Sequence, residues 1–330
     1  MSHLDELGEF GLIDLLTRRF SQDDSVVLGI GDDCAVTRPT RKRLQSLFSC
    51  DAFIEDVHFR RAWASPEDIG WKAAASALSD IAAMGGIAKY MLITLACPAD
   101  TGTAYLENLY KGIRKAAESE GVSVIGGDTT ASPCGILLSV TVVGVAVDDP
   151  VYRSGARPGD FVAVTGHPGR AALGLHALEH GVTDAPEVLV QAHLRPRPKL
   201  KEGMLLGALG GVTAMIDVSD GLVQDLGHIA ERSGVSIDIS PEKLPLTREQ
   251  EEYAARSGLS AVETALSGGE DYELAFTVSP GRATDVLRQF REQFILPVAI
   301  IGKVKEGPPR VTLDGQPCRQ GGYDHFHPVK

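Results

Sequence analysis

Apolar residues along this chain come in two alternating kinds of run. Short β-branched stretches end on glycine or an acid, and longer stretches repeat apolar positions three and four apart. Val26-Val27-Leu28 runs into Gly29-Ile30-Gly31-Asp32-Asp33-Cys34-Ala35, a strand leaving into a tight turn from which carboxylates project. Residues 44–51 predict a second strand that delivers Asp51, with His58 in the loop beyond, and 89–97, 122–127 and 136–147 predict further strands. Residues 9–16 predict a short amphipathic helix, and 21–25 a polar connection. Ser65-Pro66-Glu67-Asp68 is a helix start, with Ser as N-cap, Pro in the first turn and acids at the positive end of the dipole. That helix carries Ile69, Ala73, Ala77, Ile81 and Met84 on one side and stops at Gly85-Gly86; its alanines predict close packing on a sheet. A helix over 101–120 ends at Gly121, and the first half is α/β with about four strands.

Asp148-Asp149-Pro150 and the turn-rich 153–160 mark a boundary, predicting domains at 1–148 and 149–330. Beyond it the pattern predicts strands at 161–164, 214–216, 272–278 and 298–304, and helices at 170–180, 222–233 and 281–293. Asp314-Gly315 signals a hairpin. Residues 240–260 read as charged and irregular, and the Pro/Arg-rich 193–198 as a linker. The fold class is α/β (α+β) in two domains. A chain of 330 residues exceeds the usual limit of one core, which agrees with that division.

With 43% hydrophobic and 23% charged residues the chain is an ordinary globular protein, not a disordered one. A net charge of −12 argues against a nucleic-acid partner, although bound Mg²⁺ can reverse the local sign for an anionic substrate. The five cysteines are widely spaced without C-x-x-C, which fits free thiols in a reducing compartment. No signal peptide is expected at the N-terminus, and no apolar run reaches the ~18 residues of a spanning helix. A cytoplasmic protein with no membrane partner is expected.

The chemistry lies in acids that end apolar runs: Asp32-Asp33, Asp51, Asp80, Asp128, Asp217 and Asp220. Two carboxylates about 4 Å apart repel by roughly 4 kcal/mol at an effective dielectric near 20, so a convergence of them needs cations. The chain has no G-x-x-x-x-G-K-[ST] loop, no H-E-x-x-H, no G-x-S-x-G and no third glycine after Gly29-Ile30-Gly31. Carboxylates suit Mg²⁺, while glycine-rich turns and Arg153 suit phosphate oxygens. Together these favour ATP/Mg²⁺ phosphoryl transfer outside the common phosphate-loop architecture.

A family resemblance rests on an ordered set of motifs: Gly8-Glu9-Phe10, residues 29–35, Leu78-Ser79-Asp80-Ile81-Ala82-Ala83-Met84-Gly85, 125–130, 153–160, 216–222, 267–274 and Gly322-Tyr323-Asp324-His325-Phe326. In that order they resemble the thiamine-monophosphate kinase family, within a superfamily that includes aminoimidazole-ribonucleotide synthetase. The resemblance implies a homodimer whose N-terminal sheets pair into a barrel, flanked by C-terminal α/β domains. It implies transfer of the ATP γ-phosphoryl group to thiamine monophosphate, with several Mg²⁺ ions and a monovalent cation as a further candidate. By position it assigns Asp33, Ser49, Cys50, Asp51, Asp80, Asp128, Asp217 and Asp220 to metal, and Gly127, Asp128, Arg153 and Ser219 to nucleotide. His58, Glu270 and Tyr323 fall on the substrate side, where a glutamate and an aromatic ring suit a cationic thiazolium and a flat pyrimidine. No general base is assigned, because the acceptor is already an anion and transfer is mainly positioning and charge neutralisation. Cys50 stands where the family commonly has threonine; a thiol is a poor Mg²⁺ ligand, so its backbone carbonyl is the expected donor. The alternatives are a sister synthetase that activates an amide or formyl oxygen with ATP, and a non-catalytic Mg²⁺/nucleotide-binding module.

Overall fold

The structure, a computed structural model, describes residues 26–28, 32–37, 45–146, 149–318 and 322–323. The helix expected at 9–16, the connection at 21–25, Gly29-Ile30-Gly31 and Asp324-His325-Phe326 lie outside these residues.

Helix α1 (Pro66–Ala83) forms where its start and stop signals place it. The Ser65 hydroxyl accepts the Asp68 N–H at 3.2 Å, and Gly85 beyond the end takes φ +67°. One buried side was expected, yet from Ile69 to Ala83 all but Trp71 and Asp80 are buried. Small residues allow this. Helix α2 (Thr103–Ser119) crosses α1 at Gly70 and Gly112, where an added Cβ would fall 1.9 Å from the Leu109 carbonyl oxygen and 2.0 Å from that of Glu67.

The first sheet contains β1 (Val26–Leu28), β2 (Ala35–Thr37), β3 (Gln45–Ile54), β4 (Ile87–Cys97), β5 (Ser123–Ala131) and β6 (Leu137–Ala146), in the order β1-β2-β3-β6-β4-β5. It is wider than the about four strands expected; β2 was not among the runs read as strands, and the hairpin it makes with β1 carries Asp32 and Asp33 in its turn. Only β4 and β5 run parallel, and α2 makes their crossover. One face packs on α1. The other leaves Phe48, Ile54 and Tyr90 exposed, and every residue of the edge strand β5 is exposed.

The second sheet has seven strands: β7 (Phe161–Thr165), β8 (Val212–Asp217), β9 (Ser236–Ile239), β10 (Leu274–Val278), β11 (Val298–Lys305), β12 (Arg310–Leu313) and β13 (Gln316–Pro317). Their order is β13-β12-β9-β11-β7-β10-β8, antiparallel except for β9 with β12. Around it lie α3 (Arg170–Glu179), α4 (Glu187–Leu194), α5 (Leu200–Ala208), α6 (Leu222–Ser233), α7 (Arg248–Arg256), α8 (Ala261–Ser267) and α9 (Pro280–Gln293). Asp314 and Gly315 both take positive φ at the β12–β13 turn, as a tight hairpin requires.

Residues 240–260, expected to be irregular, are instead largely helical. Thr247 and Gln250 form a reciprocal capping box, and α7 buries only Gln250, Tyr253 and Ala254 beneath a charged surface. The two halves also share packing. Met215, Phe276, Val286 and Phe290 belong to the same buried cluster as α1, β3, β4 and β6, while Ile216, Ala275, Leu226 and Ile229 form a second core on the other face. Alternation along β8 and β10 thus divides their side chains between two cores.

Candidate active site

Three elements bring carboxylates together at the seam between the halves. Asp33 comes from the β1–β2 turn, Asp80 from the last turn of α1, and Asp217 from the end of β8. One oxygen of each lies within 4.8 Å of the others, and among the described residues this is the one set of His, Cys, Asp or Glu close enough to hold a metal. The Ser79 hydroxyl donates to Asp217 at 2.6 Å, and the Ser49 hydroxyl donates to Asp80. Asp51, two residues beyond Ser49 on the same strand face, is pushed up to about 6 by burial, against the Ser76 hydroxyl bond. Burial and the neighbouring Asp51, Asp217 and Asp33 raise Asp80 well above the usual carboxylate range. Burial and Asp33 do the same to Asp217. All the donors are oxygen and their mutual repulsion needs a cation, which fits Mg²⁺.

Arg153 supplies part of that positive charge. Its guanidinium grips Asp33 at two points, Nε to Oδ2 at 2.8 Å and Nη2 to Oδ1 at 2.7 Å. Asp32 accepts the backbone N–H of Arg153 at 3.1 Å and that of Asp33 at 3.0 Å, so the turn and the interdomain junction are tied together.

Of the expected metal residues outside the set of three, Cys50 and Asp128 lie on exposed positions of the first sheet. Cys50 projects from the opposite face of β3, where its sulfur meets the Ser139 and Thr141 hydroxyls at 3.3 and 3.4 Å; strand alternation removes the thiol from the cluster. Asp128 lies on the exposed edge strand and accepts the Thr129 N–H, outside the set of three. Gly127 beside it packs on β4, where an added Cβ would fall 1.8 Å from the Ile93 carbonyl oxygen.

The loop after β8 holds Ser219 and Asp220, and the residue that shapes it was not among those expected. One oxygen of Asp225, in the first turn of α6, accepts the N–H groups of Ser219, Asp220 and Gly221 at 3.0, 3.2 and 3.1 Å. An acid in a helix's first turn behind a glycine is a legible signal, but three converging donors are not. Asp225→Ala leaves those donors unmet and lowers stability by about 3 kcal/mol in urea titration, whereas Asp225→Asn, which keeps an oxygen there, loses less.

Of the residues expected on the substrate side, Glu270 forms an ion pair with Lys72 Nζ of α1 at 2.7 Å and lies 3.3 Å from His193 Nδ1 of α4. Lys72 and His193 line a small cavity with His58, whose Nδ1 accepts the Ile54 N–H at 3.0 Å and whose ring stacks on Phe53. The Tyr323 backbone N–H donates to the Asp220 carbonyl at 3.0 Å, and the Glu270 N–H to that of Ser219 at 2.7 Å. The structure therefore joins Glu270 and Tyr323 to the loop after β8, and His58 to the Lys72–His193 pair. The expected linker at 193–198 packs on α1, with the Trp71 indole donating to the Pro196 carbonyl and Arg195 paired with Asp68.

Residues 31–146 match the family model for the N-terminal domain of AIR synthase related proteins, and 157–314 match the model for their C-terminal domain. This chain belongs to that class. Thiamine-monophosphate kinase of Aquifex aeolicus is 40% identical over 98% of this chain and 99% of its own length, and that of Bacillus subtilis is 36% identical over 97% and 100%. The crystal structure of the Aquifex aeolicus kinase aligns with TM-score 0.80 at 37% identity, over 96% of this chain and 100% of that one. A structure of AaThiL complexed with AMPPCP and TMP aligns at 0.87 and 37%, over 99% of each. Within the class, the chain is a member of the thiamine-monophosphate kinase family.

Proposed function

We propose that this protein phosphorylates thiamine monophosphate with ATP and Mg²⁺, giving thiamine diphosphate and ADP. The observation that carries this reading is the convergence of Asp33, Asp80 and Asp217 from both halves of a chain that matches such a kinase over 98% of its length. An oxygen of the acceptor phosphate bonds to the γ-phosphorus, while the bond from that phosphorus to the oxygen bridging to ADP breaks. Mg²⁺, when bound, supplies charge neutralisation for the two phosphate chains that must meet. Asp33, Asp80 and Asp217 would hold it, with Asp51, Ser49 and the Cys50 carbonyl beside them and Asp128 and Asp220 for further ions. Arg153, Ser219 and Gly127 face the nucleotide. His58, Glu270 and Tyr323 face the acceptor.

Residues 1–148 form the metal-binding and dimer-forming half, and 149–330 complete the site. The exposed apolar face of the first sheet, with Val124 and Ile125 on its open edge, supports a homodimer in which two such sheets meet. Sedimentation equilibrium tests it, and a one-chain mass at micromolar concentration would remove it. Among the described residues no helix is long and apolar enough to cross a membrane. That is consistent with the proposed cytoplasmic setting.

The direct assay mixes purified protein, ATP, Mg²⁺ and thiamine monophosphate, separates the two thiamine phosphates and counts ADP. Thiamine diphosphate forms one-for-one with ADP and disappears with EDTA. Folded protein that binds ATP and makes no thiamine diphosphate would redirect the reading to a sister synthetase.

A further inference from the structure

Lys72, His193 and Glu270 come from three segments and meet in one buried cluster. Lys72 Nζ lies 2.7 Å from Glu270 Oε1 and 3.3 Å from His193 Nε2, and His193 Nδ1 lies 3.3 Å from Glu270 Oε2. The lysine and histidine side chains are each 4% exposed, while the glutamate keeps 26% of its surface open. Glu270 is fixed from the backbone as well, with φ +64° and its N–H on the Ser219 carbonyl.

This geometry changes what Glu270 can recognise. A free carboxylate attracts a cationic ring by its charge, but a buried ammonium at 2.7 Å already balances that charge. What remains is an immobile acceptor with one open edge. Such a group distinguishes a ligand that offers an N–H from one that does not. Thiamine monophosphate carries both kinds of handle: a charged thiazolium, and a pyrimidine whose amino group donates N–H.

We propose that Lys72 and His193 are positioning residues that hold the Glu270 carboxylate as a fixed hydrogen-bond acceptor, through which the site selects the aminopyrimidine of its acceptor instead of its thiazolium charge. The proposal rests on the reading above that Glu270 faces the acceptor. The surroundings agree with it. Against the upward push of burial, Lys72 and His193 hold the Glu270 carboxyl well below the usual carboxylate range. Burial and Lys72 push His193 down, so its ring is neutral near pH 7 and adds no second positive charge.

The test compares two acceptors: thiamine monophosphate, and its analogue in which oxygen replaces the pyrimidine amino group while thiazolium and phosphate are unchanged. The parent enzyme prefers the amino compound by about 10- to 100-fold in kcat/KM, the range of one hydrogen bond to a charged group. Lys72→Met and His193→Gln each reduce that preference to about threefold or less, and KM for ATP stays within about threefold. If Lys72→Met does not fold, His193→Gln decides. Absence of a preference in the parent overturns the proposal. So do folded variants that keep the full preference, or that lose activity equally towards both acceptors. Glu270→Gln separates the two levels. If it leaves KM for thiamine monophosphate unchanged, Glu270 does not face the acceptor at all. If it erases the preference while both positioning variants retain it, only the role of Lys72 and His193 fails.

Discussion

Asp217→Asn slows turnover at least about a thousandfold, yet its metal-free form melts at a higher temperature than the parent. The activity loss follows from removing one of three carboxylates that converge within 4.8 Å. A metal clamp on transferring phosphoryl oxygens is worth several kcal/mol, and each 1.4 kcal/mol is about tenfold in rate. The stability gain has the same origin. Without a cation, Asp217 and Asp33 repel inside a buried site, and asparagine keeps an oxygen for the Ser79 hydroxyl while discarding the charge. Asp33→Asn should lose activity equally but gain no stability, because it also breaks the two-point grip of Arg153. Single-turnover ADP release and calorimetry in EDTA check both halves. Near-normal turnover by both variants at limiting Mg²⁺ would sink the metal assignment.

Metal-free protein also becomes less stable as pH rises from 6.5 to 8, and Mg²⁺ removes most of that decline. Burial and neighbouring acids raise Asp80 and Asp217 well above the usual range, and Asp225 is raised by burial, Asp220 and Asp217. A carboxyl whose folded value is raised contributes stability that is complete below its unfolded value near 4 and is lost as pH climbs through the folded value. In this window the unfolded chain has already released those protons, and the folded chain must follow. The buried histidines oppose this only weakly: His193 and His228 are pushed down by burial, so they are neutral in the folded state across the window, and their unfolded rings shed their remaining protons mostly below about pH 7.5. Mg²⁺ favours the charged carboxylates and reverses their contribution. A smaller slope persists near pH 7 from Asp271, raised to about 7 by burial and bound to the Gly169 and Ala171 N–H groups, away from the acid cluster. Melting temperatures in EDTA that are flat or rising across the window would contradict this account.

The contrast between what the chain announces and what it conceals has physical causes. Helix α1 was legible because its cap, its first-turn proline and its closing glycines are all local, and the strand-ending acids were legible because glycine and aspartate interrupt β-branched runs. Helix α7 was hidden because it buries three residues under a charged surface, although Thr247 and Gln250 spell a capping box. Lys72 was invisible for another reason: on an alanine-rich helix it reads as a solvated lysine, and only Glu270, far along the chain, makes it a buried one. Cys50 shows the converse, since its alternation with Ser49 and Asp51 along β3 could have placed the thiol on the far face from sequence alone.

The core shared by both halves bears on how the molecule can be divided. Met215, Phe276 and Phe290 pack into the same oil as α1, and Ser79 clasps Asp217 across the seam. Separately expressed, the first half would display naked greasy surface and keep Asp33 and Asp80 without their third carboxylate, and the second would have Asp217 alone. Neither fragment is a smaller enzyme. The pair is a lock whose tumblers are distributed between two pieces, so activity can serve as a reporter that both pieces have found each other.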